Sequence, residues 1–200
     1  EVIEYNNLGQ VDMKKAIDHF GLKLVGHEIG LFYYAGHGIQ ASGINYLVPV
    51  NATIYSENDV EYECVDVGRV LAKMEDAGSR TNIVILDACR DNPFERSWTR
   101  STRGNGLAFM NAPTGSLIAY ATSPGTTASD GGGDNGLYTS AILEHIHEPD
   151  QSILQMFQKV RTRVREVSGG SQIPWESTSL EGDFYMVAPG APVLAGSSAT

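Results

Sequence analysis

Three short segments of the chain are almost continuously apolar and rich in β-branched and aromatic residues. They are residues 30–35 (GLFYYA), 82–88 (NIVILDA) and 116–121 (SLIAYA). Such runs are typical of strands that are buried on both faces of a parallel sheet. Weaker patterns of the same kind predict further short strands at residues 2–5, 46–50 and 184–187.

Between these segments, apolar residues recur every three or four positions, which is the pattern of helices with one buried face. Four such stripes begin at Met13, Val67, Leu137 and Ile153. Asp150 precedes the last stripe and is predicted to be the N-cap of that helix. The alternation of strands and helices predicts an α/β sandwich with helices on both faces of the sheet.

Two long connections rich in glycine and serine interrupt the pattern, at residues 97–115 and 122–136. Loops of this length within a compact domain are usually functional or disordered. From residue 188 the chain is rich in Ala, Gly, Pro and Ser, so we expect a flexible tail or linker over 188–200. Residues 1–187 then form one domain, which suits a chain of 200 residues.

The charge balance is acidic, with a formal net charge of −10. This argues against nucleic acids or anionic membranes as partners, because both are bound by basic surfaces. The longest apolar run, residues 31–35, is far too short to cross a bilayer. The first residue is Glu rather than Met, so we expect the natural N-terminus to lie elsewhere, and the sequence gives no localisation.

The chain has two cysteines, Cys64 and Cys89, which do not form a disulfide framework for a domain of this size. No CxxC pair and no HExxH motif is present, so the sequence predicts neither a metal site nor a cofactor. Cys64 has no neighbour that suggests chemistry, and we expect it to be inert.

A histidine and the other cysteine follow the first two apolar segments directly. His37 lies between Gly36 and Gly38, and Cys89 follows Asp87 and Ala88. Because functional groups collect at the carboxyl ends of strands in open α/β sheets, we expect the two side chains to meet at one rim. A thiol nucleophile needs a base that the scaffold positions beside it, and His37 is suited to that role.

The spacing and the local motifs extend this pattern. Cys89 follows His37 by 52 residues, and its local motif is D-A-C. This spacing agrees with that of caspases, which have their His about 50 residues before a Q-A-C motif. Further motifs are YLVPVNA, ILDACRDNPF, IAYATSPG, NGLYT and QIPWESTSLEGDFY. Over residues 1–187 the chain resembles the caspase, metacaspase and paracaspase family, most of all its bacterial members.

The resemblance implies a caspase-like three-layer α/β/α sandwich with a mostly parallel central sheet. Family members begin with a strand and a helix ahead of the segment that matches residues 2–5, so we expect both to be missing here. The implied activity is that of a cysteine endopeptidase. Cys89 would be the nucleophile, His37 the proton-transfer residue, and the backbone N–H groups of Gly38 and Cys89 the oxyanion hole.

Asp87 stands where caspases, which cleave after Asp, have Gln. A carboxylate there repels an acidic side chain and can bind a guanidinium, as the resemblance to metacaspases and paracaspases also implies. We therefore predict protein substrates cleaved after Arg or Lys, with Asp87 in the S1 pocket and Asp130 as a second wall. Calcium dependence, which occurs in some metacaspases, has no support in the sequence.

The connection after Cys89 corresponds to the segment that caspases cut during maturation. Three basic residues at or near its start would suit an enzyme that cleaves after arginine: Arg96, Arg100 and Arg103. Self-cleavage at this connection is therefore a hypothesis of the sequence, and the oligomeric state is left open.

Several alternatives stay open at this stage. Asp87 could simply cap a turn or pair with Arg90, and Trp175 could serve packing or form a lip of the substrate groove. Residues 36–41 also fit a loose dinucleotide fingerprint, G-x-G-x-x-A, which requires a helix immediately afterwards. A silent caspase-like scaffold is a further alternative, although its usual mark is the loss of the His or the Cys. The acidic side chains between residues 57 and 63 more simply belong to a solvated loop than to a calcium site.

Overall fold

In the computed structural model the described residues are 1–89, 107, 108, 110–123 and 135–191, and the side chain of Cys89 is not among them. These residues form one six-stranded sheet with the order β3-β2-β1-β4-β5-β6. The strands are β1 (Ile29–Ala41), β2 (Ile44–Leu47), β3 (Val65–Asp66), β4 (Thr81–Cys89), β5 (Ser116–Tyr120) and β6 (Trp175–Thr178).

Parallel pairing is confined to the centre of the sheet. β4 runs parallel to both β1 and β5, and the outer pairings with β2, β3 and β6 are antiparallel. The three long apolar segments of the sequence are thus the three central strands. β4 and β5 are almost wholly buried, as their continuous apolar sequences predict.

Helices cover both faces of the sheet, which confirms the predicted α/β sandwich. Their bounds are α1 (Gln10–Leu24), α2 (Val60–Glu63), α3 (Gly68–Ala77), α4 (Leu137–His145) and α5 (Ile153–Val167). α1 and α3 pack on one face through a core that includes Ile17, Met74 and Leu86. α4 and α5 pack on the other face through a core that includes Ile85 and Phe157.

β1 differs from the prediction, because one of its faces is partly open to solvent. Ile29, Leu31 and Tyr33 are 51%, 39% and 43% exposed. Among the described residues, β4 is the one strand that pairs with residues 29–37 of β1. The expectation of a further strand and helix ahead of residue 2 stays a prediction.

Two of the weaker strand predictions are wrong. Residues 2–5 and 184–187 have no strand structure, and Val2 is 94% exposed. Neither segment has a described strand beside it, and a short apolar run forms a strand only where a partner edge completes its hydrogen bonds. The prediction at residues 46–50 is shifted in the structure to β2, which begins at Ile44.

The start of α5 also differs. Its N-cap is Ser152, whose backbone N–H donates to Gln155 Oε1 at 2.8 Å while its hydroxyl accepts from the Gln155 N–H at 3.4 Å. Asp150 instead has a positive φ of 58° and accepts a hydrogen bond at 2.7 Å from the N–H of Gly190. The first residues of the predicted tail are therefore attached to the domain, while residues 192–200 lie outside the described part.

The described end of the long connection before β5 is anchored rather than loose. Asn45 is 1% exposed and forms two hydrogen bonds with the backbone of Ala108, its amide donating to the carbonyl at 2.7 Å and its carbonyl accepting from the N–H at 2.5 Å. Leu107 is 1% exposed and belongs to the core under α1 and α3. The connection thus returns to the sheet beside β1 and β2.

Candidate active site

The register of the central strands brings the two predicted active-site positions together. β1 and β4 are parallel neighbours, and His37 is the Cα partner of Cys89. Neighbouring strands lie about 4.8 Å apart, so the two residues start from adjacent points on the backbone at the carboxyl end of β4. The sequence placed both residues at one rim, and the register agrees with that placement.

His37 does not follow β1, as the sequence suggested, but lies within it. Beyond His37 the strand leaves β4 and pairs with β2 through residues 38–41. Ser42 and Gly43 then form the turn into β2, both with positive φ. The helix that a dinucleotide fingerprint requires after residues 36–41 is thus replaced by a strand and a turn, which excludes that alternative.

The backbone of His37 is held by two hydrogen bonds to its carbonyl oxygen. The N–H of Val48 donates at 3.0 Å, and the hydroxyl of Tyr34 donates at 2.9 Å while also lying 3.2 Å from the Val48 carbonyl. A Cβ at Gly36 would lie 2.7 Å from the Tyr34 hydroxyl, so glycine leaves the space that this contact needs. His37 is an exposed residue.

Gly38 is placed one residue beyond the pair formed by His37 and Cys89. Because the Val48 N–H binds the His37 carbonyl, Gly38 and Leu47 form a non-hydrogen-bonded antiparallel pair. The N–H of Gly38 therefore points away from β2, toward the side on which β4 lies. A Cβ at Gly38 would come within 3.0 Å of Ala88 and Leu107, so the tight approach of these elements requires glycine.

The two cysteines occupy different environments. Cys89 is the last residue of β4, and its side chain lies outside the described residues. Cys64 follows α2 and is 1% exposed in the small core around Ile39 and Val60. Burial, with a smaller effect from the charge of Glu63, raises the pKa of the Cys64 thiol to about 12.

Asp87 is partly buried near the end of β4 and accepts a hydrogen bond from a hydroxyl group of another element. The hydroxyl of Thr139, in the first turn of α4, donates to Asp87 Oδ2. The Tyr33 hydroxyl of β1 lies 2.6 Å from the same Thr139 oxygen. Burial raises the pKa of Tyr33, and the negative charge of Asp87 contributes to the same shift.

Tyr138 is the third hydroxyl-bearing residue near Asp87. It lies in the first turn of α4, and its side chain is fully buried in the core between this helix and the sheet. Its hydroxyl has no hydrogen-bond partner among the described residues. Burial raises the pKa of Tyr138 well above its usual value, and the charge of Asp87 adds to the effect. The Asp87 carboxylate is thus a partly buried group with hydroxyl groups nearby at the end of the sheet.

The remaining predicted positions are only partly described. Asp130, Arg90, Arg96, Arg100 and Arg103 lie outside the described residues, so their predicted roles stay predictions. Trp175 begins β6 as the Cα partner of Tyr120 and is 45% exposed at the same end of the sheet.

Three of the four acidic residues between 57 and 63 have structural partners. Glu57 accepts from the N–H of Ser42, Glu63 accepts from the N–H of Thr53, and Asp59 caps the turn at Ser56. In the part of the chain that the structure describes, no group of three or more His, Cys, Asp and Glu side chains could hold a metal ion. None of the described helices has the length and apolar character needed to cross a bilayer.

Sequence reasoning missed the contacts made by Thr139, Tyr33 and Tyr34. The two tyrosines open the segment of residues 33–38 (YYAGHG). Alternation along a strand predicts only that their side chains lie on opposite faces of the sheet. Thr139 lies 52 residues beyond Asp87, in a helix whose first turn the apolar pattern alone places near the sheet. A short polar residue in that turn, facing the end of a central strand, is the signal that could have found it.

Comparison with known proteins identifies similar sequences and folds. A peptidase family model described as the caspase domain matches residues 1–185. The human mucosa-associated lymphoid tissue lymphoma translocation protein 1 is 29% identical over 168 residues, which cover 80% of this chain and 19% of that protein. Its mouse homologue is also 29% identical, with 80% and 18% covered. The chain thus spans about a fifth of the length of these relatives.

The fold is also similar to a solved structure. The crystal structure of caspase-1 from Spodoptera frugiperda aligns with a TM-score of 0.65 and 15% sequence identity, covering 94% of this chain and 76% of that one. At this identity the likeness concerns the fold, which is the caspase-like arrangement of helices on both faces of a six-stranded sheet.

Proposed function

This chain belongs to the caspase-domain family of cysteine peptidases, and on that premise we propose that it cleaves proteins after Arg or Lys by means of His37 and Cys89. The observation that carries the proposal is the register of β1 and β4, which makes these two residues Cα partners. Two residues from distant parts of the sequence, of the types that thiol peptidases use, thereby start from neighbouring backbone positions.

The proposed reaction proceeds in two halves. The sulfur of Cys89 attacks the carbonyl carbon of the scissile bond, and its proton is taken up by His37. His37 then protonates the leaving amine as the C–N bond breaks, which leaves a thioester on Cys89. Water then attacks the thioester carbon while His37 accepts a proton from it. The C–S bond breaks, the carboxylic acid product leaves, and the sulfur of Cys89 takes the proton back from His37.

The negatively charged oxygen of each tetrahedral intermediate needs hydrogen-bond donors. The N–H of Gly38, directed toward β4, and the N–H of Cys89 are the proposed donors. Loss of one such donor typically lowers the rate about 100- to 1,000-fold.

The proposed preference for basic residues rests on Asp87. A carboxylate at a partly buried site attracts a guanidinium or ammonium group and repels an acidic side chain. Asp87 is partly buried and receives a hydrogen bond from the hydroxyl of Thr139. Asp130 is the proposed second wall of the same pocket.

The test compares fluorogenic peptides that end in Arg, Lys, Gln or Asp and are otherwise identical. We expect cleavage after Arg and Lys that disappears in Cys89→Ala and His37→Ala and persists in Cys64→Ala, the matched control for loss of a thiol. An Arg-based thiol-reactive peptide probe should label the Cys64→Ala protein and not the Cys89→Ala protein. A preference for Asp, or cleavage that survives Cys89→Ala, contradicts the proposal.

Asp87→Asn supplies the test of specificity, because it removes the charge and keeps the shape. We expect it to lower the preference for Arg over Gln at least about tenfold. If the variant keeps the preference of the unaltered protein, Asp87 is not the determinant. A silent scaffold would be recognised by the absence of both cleavage and probe labelling in the full-length protein.

Self-cleavage is a separate proposal, on the connection that carries Arg96, Arg100 and Arg103. An enzyme specific for arginine would cut its own chain there if the connection reaches a second active site or its own. Intact mass spectrometry should show fragments ending at one of these arginines, and none in Cys89→Ala. A single uncut chain for both the active protein and Cys89→Ala would refute it.

A further inference from the structure

We infer that Thr139 is a positioning residue that orients the carboxylate of Asp87 toward the P1 side chain, with Tyr33 supporting it from β1. This inference rests on the proposed preference for basic residues. It assigns part of the substrate specificity to α4, which follows β4 by about 50 residues and contributes none of the proposed catalytic groups.

The direction of the hydrogen bonds follows from the chemistry of the groups. An ionised carboxylate only accepts, so the single hydroxyl proton of Thr139 is donated to Asp87 Oδ2. The proton between Tyr33 and Thr139 must then come from Tyr33, whose oxygen lies 2.6 Å from that of Thr139. The result is a chain in which Tyr33 donates to Thr139 and Thr139 donates to Asp87.

Such a chain favours one orientation and one charge state of the carboxylate. Each donated hydrogen bond polarises the next, so the donor that reaches Asp87 is stronger than an isolated hydroxyl. The three residues belong to three elements, β1, β4 and α4. Asp87 is thereby fixed to the scaffold on the oxygen that Thr139 binds.

The surroundings of this chain of hydrogen bonds support a functional rather than a merely structural role for Thr139. Tyr33 is 43% exposed, so the chain runs from solvent to a partly buried carboxylate. The fully buried hydroxyl of Tyr138 next to Thr139 has no partner among the described residues. Its pKa is raised mainly by burial and further by the nearby charge of Asp87. Polar groups are concentrated here beyond what packing of α4 on the sheet requires.

The experiment measures the ratio of kcat/KM for Arg-ending and Gln-ending peptides. Thr139→Val keeps the shape of the side chain and removes the hydroxyl, and we expect the ratio to fall about tenfold, mainly through a higher KM for the Arg peptide. Thr139→Ser restores a hydroxyl and should keep the ratio within about threefold of the unaltered protein. Thr162→Val, the same change on the outer side of α5, is the matched control and should leave the ratio unchanged.

Tyr33→Phe gives a second measurement if Thr139→Val fails to fold. Because Tyr33 acts through Thr139, we expect a smaller fall of about threefold in the same ratio. Tyr55→Phe, at a tyrosine that is 81% exposed, controls for loss of a phenolic hydroxyl.

The outcomes separate this inference from the function on which it rests. If the unaltered protein prefers Arg and Thr139→Val keeps the full preference, the role of Thr139 is refuted and the proposed function stands. If Thr139→Ser loses as much selectivity as Thr139→Val, the hydroxyl is not the cause and the inference also fails. If the unaltered protein shows no preference for basic residues, the proposed specificity is what falls.

Discussion

Cys64 offers a quantitative test of which thiol can react. Its side chain is 1% exposed, and burial raises its pKa to about 12. Only the thiolate reacts with haloacetamides. At pH 8 a thiol with this pKa is ionised in about one molecule in 10,000, whereas an unperturbed cysteine with a pKa of about 8.5 is ionised in about a quarter of molecules. We therefore expect Cys64 to react more than about 1,000-fold more slowly than a free cysteine.

The assay follows iodoacetamide labelling at pH 8 by intact mass spectrometry. Cys89→Ala leaves Cys64 as the one thiol of the chain, and its labelling rate is compared with that of an unstructured cysteine peptide. The same protein in denaturant controls for reagent access and should react at the rate of the peptide. Labelling of native Cys89→Ala within about tenfold of the peptide rate would refute the reasoning, since ionisation alone forbids it.

The same pKa shift affects stability at high pH. Because the folded protein raises the pKa of Cys64, the stabilisation is complete below the unfolded pKa of about 8.5 and is lost as the pH rises toward about 12. Cys64→Ala should therefore show a shallower fall in the free energy of unfolding over this range than the unaltered protein. Parallel curves for the two proteins would contradict the assigned pKa.

Three further perturbations follow from described contacts. Tyr34→Phe removes a donor from the His37 carbonyl and should lower the free energy of unfolding by about 1 kcal/mol and kcat/KM about tenfold; urea titration and the Arg peptide measure both, and unchanged kinetics would refute the bracing of His37. Ser152→Ala removes the cap of α5 and should cost about 1 kcal/mol in urea unfolding, with no effect meaning that the cap is dispensable. Asp18 has a lowered pKa, chiefly through its hydrogen bond from Arg69. The stability that it contributes is therefore present at neutral pH and lost as the pH falls through that lowered value. Asp18→Asn should flatten the acid limb of the plot of Tm against pH, and superimposable plots would contradict this.

The sequence predicted the centre of the fold well and its periphery less well. Residues 82–88 and 116–121 are almost continuously apolar because helices cover both faces of β4 and β5, so their pattern contains the information needed. Residues 30–35 look the same, yet β1 has one partly exposed face. An apolar run alone does not show which elements pack on each face of the strand. Residues 2–5 show a related limit, because strand formation also depends on a neighbouring strand edge.

The candidate site was predictable as two positions and not as a network. His37 and Cys89 could be placed at one rim because parallel strands end on the same side of a sheet. The contacts of Asp87 with Thr139, and of Tyr34 with the His37 carbonyl, depend on how α4 and β2 dock, which no local pattern records. The cap of α5 is a milder case. The sequence favoured Asp150 and the structure has Ser152, because both residue types are good caps and the backbone conformation decides between them.

β1 takes part in two ladders, one with β4 up to His37 and one with β2 from Gly38 onward. A slip of one residue in either ladder would turn the imidazole to the opposite face of the sheet, the face on which α1 and α3 pack. The pairing with β4 and the pairing with β2 therefore fix the same register of β1, and His37 lies where one pairing ends and the other begins. Insertions at the hairpin tip formed by Ser42 and Gly43 should consequently be tolerated, whereas a single-residue insertion between Tyr34 and Gly38 should not.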